Sequence, residues 1–115
     1  MSEAKGRNAC VAIVGPIADR QQTIHSWIRD GSKRFMPFPE VVWAEGEMGS
    51  VMLYRCRSDG EFCGDTWHAS IKEAQDQAQY EYGPALGRWH PIPADVPDAH
   101  QYAIAFAREN RVVKP

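Results

Sequence analysis

The chain has 115 residues, of which 43% are hydrophobic, with 13 Lys+Arg against 15 Asp+Glu. That composition excludes wholesale disorder, and the length fits one compact domain. No apolar run approaches the ~20 residues of a membrane helix, and residues 1–8 lack the apolar stretch of a secretory leader, so a cytoplasmic location is expected.

Residues 1–8 are polar, small and aperiodic. They read as a flexible tail ahead of a single domain over residues 9–115. Cys10-Val-Ala-Ile-Val14 is a short apolar run closed by Gly15-Pro16, the pattern of a buried strand. In residues 17–29, Ile17, Ile24, Trp27 and Ile28 fall on one helical face. Pro16 suits a first turn and Asp30-Gly31 a stop, so a helix is predicted. Thr23, Ile24 and Trp27 are also compatible with a strand. Phe35-Met-Pro-Phe-Pro39 carries two prolines, which remove donors and restrict their neighbours; it reads as an extended connector.

A meander follows, with strands expected at residues 41–44, 50–57 and 61–67. Asp59-Gly60 between the last two favours a two-residue hairpin turn, which sets Ser58 opposite Glu61, Arg57 opposite Phe62 and Cys56 opposite Cys63. In that register Met52, Tyr54, Cys56, Cys63, Asp65 and Trp67 share one face. Val51, Leu53, Arg55, Arg57, Phe62, Gly64 and Thr66 share the other. Both faces are apolar near one end, which points to partial cover on the second side, and the arginines mark where solvent reaches the sheet.

Residues 70–82 form the clearest helix. Ser70-Ile-Lys-Glu73 fits a capping box, Ile71, Ala74, Ala78 and Tyr82 form one stripe, and Gly83-Pro84 ends it. A second capped helix over residues 98–110 starts at Asp98, with Gln101 as the reciprocal partner and a stripe of Ala99, Tyr102, Ala103, Phe106 and Ala107. Between them, Gly87-Arg-Trp-His-Pro-Ile-Pro93 reads as a short edge strand, because proline cannot donate to a ladder. The expected architecture is α+β: a mostly antiparallel sheet of four or five strands with two or three helices on one face.

Charge is divided unevenly. Residues 1–39 hold six basic and three acidic groups, residues 40–115 seven and twelve. The basic cluster of Arg29, Lys33 and Arg34 is assigned to a helix end and adjoining loop. The acidic body would steer a basic partner. The three cysteines, Cys10, Cys56 and Cys63, form no C-x-x-C pair and read as free buried thiols. Opposed Cys56 and Cys63 leave a disulfide sterically conceivable.

Chemistry-bearing residues are densest at Cys63-Gly-Asp-Thr-Trp-His68. Cys63, Asp65 and His68 are the candidates for a thiol- or carboxylate-assisted hydrolase, but strand parity directs Cys63 and Asp65 away from His68. No metal-ligand spacing and no phosphate-binding glycine loop is present, so neither metal nor cofactor is expected. Arg55, Arg57 and Phe62 are the candidates for a face binding single-stranded nucleic acid, although one aromatic and two arginines are few for that task. Trp27, Trp43, Trp67, Trp89 and four tyrosines are of the types that anchor protein interfaces; Phe35, Phe38 and Trp89 are the interaction candidates.

Leu53-Tyr-Arg55, Asp59-Gly60, Gly64-Asp-Thr-Trp-His68, Glu73-Ala74, Tyr80-Glu-Tyr-Gly83 and Trp89-His-Pro-Ile-Pro93 follow one another in an order that resembles a family of small bacterial proteins of unknown function. The resemblance covers residues 50–110 and implies a fold rather than a reaction. By fold-level analogy, some domains of this build resemble immunity proteins that block toxins. The expectation is therefore a small, non-enzymatic protein-interaction module, with a protein partner or itself as a homodimer. Membrane association is not expected, and nucleic acid is a lesser alternative.

Overall fold

The computed structural model describes residues 8–15, 26–29, 32–35, 38–47 and 49–110. Among the described residues there are seven strands and two α-helices: β1 (Asn8–Ile13), β2 (Ser26–Arg29), β3 (Ser32–Phe35), β4 (Val41–Glu47), β5 (Ser50–Cys56), β6 (Phe62–His68), α1 (Ile71–Tyr82), β7 (His90–Pro91) and α2 (Ala99–Asn110). Five strands make an antiparallel sheet in the order β6-β5-β4-β1-β7, and β2 and β3 form a separate ribbon. The class is α+β. No helix among the described residues is long and apolar enough to cross a membrane.

The sheet is covered on both faces, not one. In β1 and β4, successive residues alternate between two cores. Cys10, Ala12, Val42 and Ala44 join Val51, Leu53, Ala74, Ala78 and Tyr82 under α1. Val11, Val41 and Trp43 join Ala99, Ala103, Ile104 and Ala107 under α2. The expected placement of both helices on one face is thus corrected. Central strands without a polar face need apolar cover on each side, and Cys10-Val-Ala-Ile13 and Val41-Val-Trp-Ala44 are such runs.

The helix predicted over residues 17–29 is corrected where the structure describes it. Ser26–Arg29 is strand, paired with β3 from Ser26↔Phe35 to Arg29↔Ser32. That pairing leaves Asp30-Gly31 as the two intervening residues. In sequence, an Asp-Gly pair serves a hairpin as readily as a helix stop. The rest of the predicted helix lies outside the described residues. Arg29, Lys33 and Arg34 accordingly lie on this ribbon rather than at a helix end, and Phe35 closes β3 rather than opening a connector. Asn8, assigned to the tail, already pairs with Gly46.

The β5–β6 hairpin departs from its expected register at one end only. Tyr54↔Asp65, Leu53↔Thr66 and Met52↔Trp67 pair as predicted, but Cys56 opposes Phe62 rather than Cys63. The turn is longer than two residues. Arg57 N–H donates to the Glu61 carbonyl (2.9 Å) and Gly60 N–H to the Arg57 carbonyl (2.9 Å), enclosing Ser58, Asp59 and Gly60. A three-residue loop shifts the register by one, and an irregularity between Tyr54 and Cys56 restores it. Gly64, at φ 109°, supplies the positive φ there. Phe62 thereby moves onto the face of Cys56, and Cys63 leaves it.

The helix signals are realised in detail. Ser70 Oγ accepts from Glu73 N–H (3.1 Å), and Glu73 Oε1 accepts from Ala69 N–H (2.7 Å), one residue before the amide expected. Gly83 caps the C-terminus, donating to the Gln79 carbonyl. Asp98 Oδ1 accepts from His100 (2.9 Å) and Gln101 (3.3 Å) amides at the start of α2.

Candidate interaction surface

Beneath α1 the sheet buries a charged pair. Arg55 and Glu81 are both fully buried. Arg55 Nε donates to Glu81 Oε1 and Nη2 to Glu81 Oε2, each at 2.9 Å. Nη2 also reaches Thr66 Oγ1 (3.0 Å), Nη1 the Leu53 carbonyl (3.3 Å), and Gln77 Nε2 donates to Glu81 Oε2 (2.7 Å). Arg55 therefore does not mark solvent, as its place in the alternation suggested. It is one of the largest fully buried side chains. Tyr82 packs beside the pair. Burial and then the Glu81 carboxylate push its pKa up.

The three hydrolase candidates are not assembled. His68 is buried on the α1 face, where its Nε2 lies 2.7 Å from Thr66 Oγ1 and its Nδ1 3.6 Å from Glu73 Oε1. Asp65 is exposed on the other face. Cys63 is buried, with Sγ 3.5 Å from the Glu61 carbonyl, and burial followed by the neighbouring Cys56 and Glu61 pushes its pKa up to about 12. A thiol so held is neutral at ordinary pH and a poor nucleophile. All three cysteines are free and buried, and burial raises the pKa of Cys10 and Cys56 as well.

The nucleic-acid candidates are equally dispersed. Arg57 Nη1 is taken by the Phe38 carbonyl (2.8 Å) and Nη2 faces Glu40 (3.5 Å), while Phe62 lies on the opposite face from Arg55. Among the interaction candidates, Phe38 is half-buried, and Phe35 is placed by its backbone alone. Trp89 packs partly buried against the α1-side core. It also lines an open groove of about 550 Å³ with Cys10, Ile71, Gln75, His90 and Ile92.

The larger exposed feature lies on the other face. α2 packs on β4 and β1, whereas α1 packs on β4, β5 and β6 from the opposite side. On the α2 side, Cys56 and Tyr54 of β5 pack into the α2 core and Arg108 Nε donates to the Ser58 carbonyl (2.9 Å), while β6 extends beyond the helix. Register sets three cross-strand rows there: Val41–Cys56–Phe62, Trp43–Tyr54–Asp65 and Glu45–Met52–Trp67. Trp43 stacks on Tyr54 (centroids 5.1 Å) and on His100 of α2 (5.2 Å), so the aromatic row begins under the helix and runs out from it. At the outer ends of the two flanking rows Phe62 is 48% and Trp67 59% exposed, with Asp65 between them. Glu45 and Asp65 flank Tyr54, and burial followed by these two carboxylates raises the tyrosine pKa.

Sequence reasoning missed Trp67 as a surface residue and placed Phe62 on the opposite face, among the nucleic-acid candidates with Arg55 and Arg57. Trp67 sits in an alternating strand whose neighbours Met52 and Tyr54 suggested burial, and Phe62 reaches this face only through the irregularity at Gly64. A glycine inside a strand was the available signal. The chain matches no protein-family model, no curated protein and no solved structure.

Proposed function

We propose that this chain is a non-enzymatic protein-interaction module that docks a protein partner on the β5–β6 half of the sheet. The observation that carries the reading is the pair of large side chains, Phe62 and Trp67, exposed together on a face that α2 leaves open. Exposed aromatics cost solvation in the free chain and gain most when a partner removes them from water. The hydrolase reading lacks a thiolate near a base, and the nucleic-acid reading has lost Arg55 to the interior.

The test compares the tagged chain with its Trp67→Lys variant in copurification from the native cell. Trp67 is mostly exposed, so the variant is expected to keep its fold. A partner retained by the parent and lost by the variant supports the reading. Identical sets of bound proteins, or a strictly monomeric parent without partners, contradicts it.

A further inference from the structure

We infer that the docking face takes an extended, basic polypeptide segment, added to the outer edge of β6 as a sixth strand. The inference rests on the docking reading above and names the chemistry of its occupant.

β6 ends the strand order, and among the described residues nothing pairs with its outer edge. An edge strand offers unpaired amides and carbonyls, and proteins blunt such edges with brevity, proline, charged side chains or bulges. β7 at the other end is blunted in this way, with two residues of which one is Pro91. β6 has seven residues and neither proline nor lysine. Its irregularity is confined to the turn end, so Asp65 to His68 pair regularly with β5.

Charge selects the occupant. Between Arg57 and Lys72 the chain carries Asp59, Glu61 and Asp65 and no Lys or Arg. All three carboxylates are exposed. Lys72 is occupied by Asp76 at 3.0 Å. A second copy paired about Asp65 or about Cys63 would set like charges against each other. Pairing centred on Asp65 opposes two Asp65 side chains, and pairing centred on Cys63 opposes Glu61 to Asp65. An added basic strand instead places one side chain beside Trp67 and, two residues on, another beside Asp65. An apolar residue followed at i+2 by Arg fits that pair, with the guanidinium able to lie against an aromatic face.

The experiment titrates the full chain with acetyl-Thr-Ile-Thr-Arg-Thr-Ile-Thr-amide and with the same peptide carrying Glu for Arg, followed by amide chemical shifts. The expected result is binding of the Arg peptide about tenfold tighter than the Glu peptide, weakened by salt, with shifts centred on residues 65–68. Asp65→Lys should reverse the preference. Equal binding of both peptides on this face overturns the basic-segment inference and leaves the docking face standing. The inference is overturned in the same way if neither peptide binds at about 1 mM while the chain dimerises through a contact that Trp67→Lys abolishes. Shifts confined to the groove around Trp89 also overturn it. If no peptide binds, the chain stays monomeric and copurification is insensitive to Trp67, both readings fail.

Discussion

Glu81→Leu tests how the fold carries a buried charge in so small a core. In the native chain the Arg55 guanidinium makes two 2.9 Å bonds to Glu81, and both side chains are fully out of water. After the substitution only Thr66 and the Leu53 carbonyl remain for it, and a desolvated cation is left without its counter-ion. Breaking one side of such a pair costs about 3–5 kcal/mol. A domain of this length holds roughly 6–15 kcal/mol in all, so a large share of its stability should disappear. With a urea m-value of about 2 kcal/mol/M, the midpoint should fall by about 2 M. The double variant Arg55→Met, Glu81→Leu removes both charges at similar volume and should recover most of the loss, ending within about 1 kcal/mol of the parent. Equilibrium urea unfolding of the four proteins gives the complete cycle. A single-variant cost under about 1 kcal/mol, or a double variant worse than the sum of its singles, would refute the reasoning.

Other expectations follow from local geometry. Ser70→Ala removes the oxygen that accepts from Glu73 N–H and should cost about 1 kcal/mol in thermal or urea unfolding. Gly46→Ala should cost about 2 kcal/mol or more, because φ is 145° and a Cβ would lie 2.2 Å from the Ser50 carbonyl oxygen. Burial raises the Cys63 pKa from an ordinary 9.0 to about 12. The unfolded chain therefore releases this proton first, and stability should be level below about pH 9 and fall between about pH 9 and 12. Cys63→Ala should lessen that slope in unfolding measured across alkaline pH, leaving the contributions of Cys10, Cys56, Tyr54 and Tyr82, whose pKa values burial also raises.

The elements were legible where local pattern and long-range packing agree. Alternation announced β5 and β6, a short apolar run announced β4, and Ser70 and Asp98 announced the helix starts. The apolar runs through Val11 and Val42 also carried the two-sided cover, since neither strand has a polar face to turn to water. What stayed hidden depends on partners distant in sequence. Arg55 looked solvated because nothing local reveals that Glu81, 26 residues on, will meet it under α1. Ile24 and Trp27 satisfied both a helical face and a strand, and Asp30-Gly31 punctuates either. The docking face itself depends on a register shift at Ser58–Gly60 and its reversal at Gly64, which decide whether Phe62 or Cys63 joins Trp67.

The most direct measurement of the central proposal is site-specific photo-crosslinking in the native cell. p-Benzoylphenylalanine replaces Trp67 in one protein and, in the control, Tyr80, which is 75% exposed on α1. Docking on the β5–β6 face predicts a discrete adduct with another polypeptide from position 67 and none from position 80. No adduct from position 67, or equal adducts from both, would contradict it.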